Sequence, residues 1–122
     1  FAADIEGARE KLLLQARERG SVSLKADCLL AAHHGSLSSS SFEFVQKVDP
    51  SVVVVSAGGS EGEHFPAPRH RENWARQGRH LYVTAEKGAL RLTTDGQTLC
   101  MHTVGGEPLC QDEPPAKMQA GN

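Results

Sequence analysis

Apolar residues at Ile5, Ala8, Leu12, Leu13 and Ala16 recur at helical spacing. They predict a helix over 5–19, with Arg17 and Arg19 in its last turn and Gly20 as its stop. Residues 1–3 ahead of it read as the end of a buried strand. A short apolar run at 27–32 fits a strand buried on both faces, and it empties into His33-His34-Gly35-Ser36. A serine-rich loop follows at 37–41. Ser40 and Glu43 have capping-box spacing ahead of Phe42, Phe44, Val45 and Val48, which marks a second helix ending at Asp49-Pro50. Four consecutive valines within 51–57 are the strongest strand signal in the chain. After a Gly- and Pro-rich loop at 58–68, Pro68 suits the first turn of a third helix and Gly78 its end. Strands are expected at 80–84, 89–94 and 98–104, with Asp95-Gly96 as a hairpin turn between the last two. From Gly105 the chain turns polar and Pro-rich, so 105–122 is expected to be a disordered tail. Strand, helix, strand, helix, strand, helix, then strands is an α/β order, a β-sheet with helices packed on one face.

Composition narrows this picture. The chain has 122 residues, which suits one small domain. Its hydrophobic fraction of 39% argues against full disorder, and a net charge of −2 is too small to imply bulk attraction to nucleic acid or membrane, which only a local patch could supply. No apolar run approaches the roughly 20 residues of a spanning helix, and no signal-peptide pattern opens the sequence. The chain starts at Phe1 and reads as a fragment of a longer protein. Cys28, Cys100 and Cys110 are odd in number and form no CxxC pair, which predicts no disulfide framework. Cys28 reads as a small buried hydrophobe.

Candidate chemistry gathers at the ends of the expected strands. Asp4 follows the first, His33 and His34 the second, and His64 lies in the loop after the third. Ligands of α/β sheets bind outside the carboxyl ends of strands. A carboxylate and imidazoles there suit zinc or manganese. Taken alone, Asp4 is more often a helix cap, and a lone histidine is more often a hydrogen-bonded residue than a ligand. Two adjacent histidines before a Gly-Ser turn shift the balance toward function.

The stretch from Leu24 through Lys25, Ala26, Asp27 and Cys28 to His33-His34-Gly35-Ser36 resembles the "LKADVLKVPHHGS" segment of the ComEC family. These are DNA-uptake competence proteins whose soluble part has the metallo-β-lactamase fold. The similarity runs on through Ser39-Ser40-Ser41, the valine strand and Thr94-Asp95-Gly96, covering roughly residues 1–96. It implies that 1–104 is the C-terminal half of that αββα sandwich. Ala3-Asp4-Ile5-Glu6 resembles the family's "GDIE", whose Asp bridges two metals, with Ala3 in place of Gly. One of His33 and His34 would then be a terminal metal ligand, and the other would orient it or contact phosphate. The resemblance implies a metal-dependent phosphodiesterase that degrades one DNA strand during import. It also implies an inner-membrane parent with this domain outside the lipid, on the periplasmic or extracellular side. Partners would be single-stranded DNA, the remainder of the domain and the membrane domain.

The departures are equally informative. Where the family reads like "NRYGHPHP", this chain has Glu61-Gly62-Glu63-His64-Phe65-Pro66-Ala67-Pro68. Phe65 and Ala67 stand where histidines are common, and His64 is one position away. The family's HxHxDH motif, source of most metal ligands, is not in these residues. The chain is therefore expected to be inactive alone and to retain no zinc or manganese. Half a sandwich would also expose a sheet face, which predicts self-association or a loosely ordered sheet face. Arg69, Arg71, Arg76 and Arg79 lie on or after the third helix, and Arg69 and Arg76 share a face. They are candidates to track a DNA backbone, against the commoner reading of a solvated face. Ser36 joins His64, Arg69 and Arg76 as a candidate substrate contact. A Ser–His nucleophile pair drawn from the serine loop, a Cys100-His102-Cys110 zinc knuckle and base stacking by Trp74 are weaker readings. Two alternatives stand beside the nuclease: a catalytically inactive DNA-guiding or structural module, and a hydrolase of another substrate.

Overall fold

The computed structural model describes residues 2–60 and 64–112, and the chain divides into two compact units, Phe1–Glu86 and Lys87–Asn122. The protein is α/β, as the order of elements predicts. In the first unit, α1 (Gly7–Glu18), α2 (Phe42–Val48) and α3 (Pro68–Arg76) alternate with β1 (Cys28–Leu30), β2 (Val52–Val55) and β3 (His80–Val83). The strands form a parallel sheet in the order β1-β2-β3. Both crossovers step the same way, so the right-handed rule puts α2 and α3 on one face.

Register decides what that face buries. Leu29 pairs with Val53 and Val53 with Leu81, while Val55 pairs with Val83. Side chains alternate along a strand, so these five point to one side. There they join Leu14 of α1, Phe44, Val45 and Val48 of α2, and Trp74 of α3 in a single cluster. Val53, Val55 and Val83 are wholly buried. Each contributes about 1.5–3 kcal/mol through that burial. On the opposite face Val52 is 2% exposed, while Cys28, Leu30, Val54 and Tyr82 around it are only half-buried.

Several local expectations change. Ala2 and Ala3 form no strand; Ile5 N–H bonds Ala2 O at 3.1 Å, and Ala3 is left-handed with φ 46°. The buried stripe of α1 is rotated: Glu10 is 1% exposed beside Leu14, whereas Leu12 is 53% exposed. The cap of α2 is Ser41, not Ser40. Ser41 is extended and its Oγ accepts Phe44 N–H at 3.2 Å, while Ser40 is buried with φ 53°. The backbone N–H of this N-cap Ser41, which a capping box would give to its N3 side chain, is held by Glu10; N3 is Phe44, so Glu43 is out of place for that role. Pro68 opens α3 as expected, and Gly78 follows it with φ 71°.

A short helix, α4 (Thr84–Lys87), leads to the second unit. There β4 (Leu90–Thr94), β5 (Thr98–Thr103) and β6 (Leu109–Asp112) form an antiparallel sheet in the order β4-β5-β6. The Asp-Gly signal is a hairpin. Asp95 Oδ1 accepts the amides of Gln97 at 2.9 Å and Thr98 at 2.7 Å, and Gly96 takes φ 93° at the tip. Two expectations are corrected here. Residues 109–112 are a strand, not part of a disordered tail; 113–122 lie outside the described residues. Cys100 and Cys110 sit opposite each other in register and form a disulfide, with Cα atoms 4.0 Å apart. Strand pairing, which needs no CxxC spacing, brings them together. That also removes both cysteines from the zinc-knuckle reading. Among described residues no helix is long and apolar enough to cross a membrane.

Met101, 3% exposed, is the one buried side chain among those described in the second unit. So small a core leans on the crosslink. Reduction, or Cys110→Ser, is expected to lower the stability of this sheet by about 2–3 kcal/mol. Amide exchange of β5 and β6 measured with and without reductant checks this; unchanged protection would contradict it.

Candidate functional site

The candidate site is built on a strained turn at the end of β1. Ala32–Gly35 make one 3-10 turn in which His33 has φ 49°, His34 φ 56° and Gly35 φ 77°. A left-handed backbone costs a non-glycine residue roughly 1–2 kcal/mol. Such conformations persist only where the surroundings over-determine them. Here His33 N–H bonds Ala3 O at 2.9 Å, Ser36 N–H bonds His33 O at 3.0 Å, and Ala67 N–H bonds Gly35 O at 3.0 Å. Gly35 is required twice over. Besides its φ, a Cβ there would lie 2.8 Å from Pro66 Cβ and 3.5 Å from Val55 Cγ2. Pro66 follows a cis peptide bond and is buried.

Both imidazoles are exposed and both are oriented through Nδ1. His34 Nδ1 donates to the carbonyl of Ser56, just past β2. A carbonyl only accepts, so this bond puts the proton on Nδ1 and leaves Nε2 with its lone pair. His33 Nδ1 lies 3.1 Å from Glu6 Oε1 and 3.4 Å from Ser38 Oγ. A carboxylate at Nδ1 again frees Nε2. Metal-binding histidines are oriented in this way, by an N–H given to a carbonyl or carboxylate. A serine nucleophile and an orienting acid would need opposite nitrogens of one ring. Ser38 and Glu6 share the same nitrogen, so the turn holds no Ser–His–acid relay. The ring centroids of His33 and His34 are 6.4 Å apart, and Phe65 lies 6.1 Å from His34.

The other expected residues are less tightly placed. Asp4 is exposed and bonds none of the described residues. It does not cap α1, whose N-cap is Glu6. It follows Ala3, whose carbonyl holds His33, and so sits next to the turn. No group of three or more His, Cys, Asp or Glu among the described residues is arranged to hold a metal. Ser36 Oγ bonds Ser38 Oγ at 2.7 Å, within the serine loop. His64 is exposed without a partner among the described residues, and Glu61, Gly62 and Glu63 lie outside them.

The arginines are mostly committed. Arg71 pairs with Glu86 and Arg76 with Glu72 one turn earlier. Arg79 has a largely buried side chain that reaches Asp49 at 3.3 Å and donates to Pro50 O, clamping the end of α2. Burial alone would raise the Asp49 carboxyl; Lys25 and Arg79 overcome it and hold it below the usual value. Arg69 alone of the four is exposed and unpaired.

Two buried ionisable residues escaped the sequence reading. Burial pushes the Glu10 carboxyl up, against the amides of Ser41 and Ser40 and the charge of His70. Its amide partner is 31 residues away, so no local pattern announces it. His70 stacks on Trp74 with centroids 5.1 Å apart, and their i,i+4 spacing on one helix face is the signal that points to it.

The chain is an α/β protein whose notable site is a paired-histidine turn at the end of a parallel strand. It is similar to ComE operon protein 3 of Bacillus subtilis (strain 168), at 31% identity over 68 residues. That stretch is 56% of this chain and 9% of the relative, so the chain spans less than a tenth of its length. No family model matches, and no solved structure matches.

Gly35→Ala is expected to destabilise the first unit by about 2–5 kcal/mol, through left-handed strain and overpacking on Pro66. Urea unfolding measures it, and a change within experimental error would contradict the close packing. Arg79→Ala tests the clamp through pH. A depressed Asp49 pKa gives stability that is present above the unfolded value and lost as pH falls through the folded one. The loss in Arg79→Ala should therefore be largest near neutral pH and shrink on acidification. An equal loss at pH 7 and pH 3 would deny the pair its role.

Proposed function

We propose that this chain is part of a DNA-uptake protein of the competence machinery, within a domain that cleaves DNA phosphodiesters using a divalent metal. The similarity to ComE operon protein 3 supports the competence setting. The observation that carries the site is the doubly left-handed histidine pair, with His34 Nδ1 committed to Ser56 O and Nε2 left free. That is the orientation of a metal-binding imidazole, held on a strained backbone of the kind found at functional sites.

The described donors fall short of a whole centre. A catalytic zinc site has three protein ligands, and here there are two oriented imidazoles with Asp4 alongside. No catalytic step is therefore assigned to this chain alone. Its contribution is to present His33 and His34, and beside them Asp4, to ligands from the rest of the domain. On this reading the sandwich is completed against the half-buried sheet face of Cys28, Leu30, Val54 and Tyr82. The Cys100–Cys110 disulfide supports placement on the oxidising side of the membrane.

The incomplete donor set also favours a second reading, a module that guides DNA without cutting it. Against that, three of the four candidate arginines are paired within the protein, which leaves Arg69 as the exposed contact. A manganese-dependent nuclease assay on the complete domain separates the two. The nuclease reading predicts degradation of single-stranded DNA that falls at least as far in His34→Ala as the roughly 10–100-fold lost when a ligand's orienting partner is removed. No activity in a folded, metal-loaded domain would overturn it.

A further inference from the structure

The serine loop between the histidine turn and α2 is gripped from behind by two buried ionisable side chains on different helices. From α3, His70 places Nε2 3.0 Å from Ser36 O and 2.9 Å from Ser39 O. Both partners are carbonyls, so Nε2 carries the proton and is shared between them. From α1, the Glu10 carboxylate accepts the N–H of Ser41 at 2.9 and 3.3 Å. The division of labour is chemical: the imidazole satisfies loop acceptors and the carboxylate satisfies loop donors. Both are nearly inaccessible, Glu10 at 1% and His70 at 7% exposure.

The grip continues into the turn. Ser39, itself buried, donates Oγ–H to Ala32 O at 2.7 Å, at the residue before His33. Ser39 N–H bonds Ser36 O at 3.2 Å, and Ser36 N–H bonds His33 O at 3.0 Å. Ser38, between them, reaches His33 Nδ1. Every link from His70 to the left-handed histidines is thus a hydrogen bond to main chain or to a serine hydroxyl. Neither Glu10 nor His70 shows a contact with either imidazole.

We propose that His70 and Glu10 are positioning residues, which hold the serine loop so that His33 and His34 stay left-handed with Nδ1 committed and Nε2 presented to a ligand. This rests on the reading of the two histidines as ligand donors. Buried hydrogen bonds of this kind are costly to leave half-made, so removing one donor should free the loop more than it loosens the core.

The test uses the 122-residue chain and nitrogen-15 NMR of its imidazoles above their titration range. In the wild type, His34 is expected as a fixed Nδ1–H tautomer. His70→Phe keeps the ring stacked on Trp74 but removes the N–H donor. It should convert His34 to averaged tautomers, while circular dichroism and Trp74 fluorescence stay native. His70→Gln restores an N–H donor and should recover the fixed tautomer. Glu10→Gln, which keeps an acceptor, should perturb His34 less than Glu10→Ala does. If His70→Phe does not fold, Ser39→Ala breaks the link to Ala32 alone and should produce the same averaging. A fixed Nδ1–H tautomer in folded His70→Phe or Ser39→Ala would overturn the proposal. Loss of the tautomer without recovery in His70→Gln would overturn it too. Its failure is distinct from that of the nuclease reading, which the complete domain decides by activity.

Discussion

The first unit depends on the contact between the histidine turn and Pro66. Gly35 approaches Pro66 so closely that no Cβ fits, and its carbonyl takes the amide of Ala67. That contact joins the end of β1 to the loop that leads into α3. It also requires the chain to turn sharply after β1, which forces His33 and His34 into the left-handed region. The strain is distributed over main-chain bonds to Ala3, Ser36 and Ala67. Small residues at Ala31 and Ala32, both buried, leave room for the turn.

Polar groups, not apolar area, finish the architecture around this turn. The apolar cluster fixes β1, β2 and β3 against the helices, but the loops carrying the histidines pack few large side chains. Glu10, Ser39 and His70 supply directional bonds there, and each is buried. Ser40 Oγ is buried without a partner among the described residues, the one such side-chain atom. It marks where the loop is least well satisfied. In the second unit a covalent link does the corresponding work, because Met101 alone among the described residues there is buried.

The sequence foretold elements better than it foretold contacts. The valine run, Pro68, the Asp-Gly hairpin and the end of β1 all carry strong local signals, and each element lies where those signals put it. What failed was set by tertiary partners. Ser41, whose amide is held by the sequence-distant Glu10, is the cap, and Ser40 is left-handed and buried. The stripe of α1 is rotated too, since burying Glu10 turns Leu12 outward. Cys100 and Cys110 carry no motif, and only the register of β5 against β6 makes them partners. Of the site, the histidine pair was legible and its orientation was not. Which nitrogen is free follows from Ser56 and Glu6, neither of which local spacing could nominate. In sequence the arginines on and after α3 leave open a solvated face or a DNA track, because two of their acidic partners, Asp49 and Glu86, come from other elements.

On the proposed reading, the paired-histidine turn is a preformed half-site, with an orienting bond on Nδ1 and an available Nε2 at each ring. Anomalous diffraction from crystals of the complete domain soaked in manganese or zinc tests this most directly. The account predicts a metal peak about 2.0–2.2 Å from Nε2 of His34 or His33, with the His34 Nδ1 bond to Ser56 retained. A metal bound elsewhere in the domain, with both imidazoles uncoordinated, would contradict it.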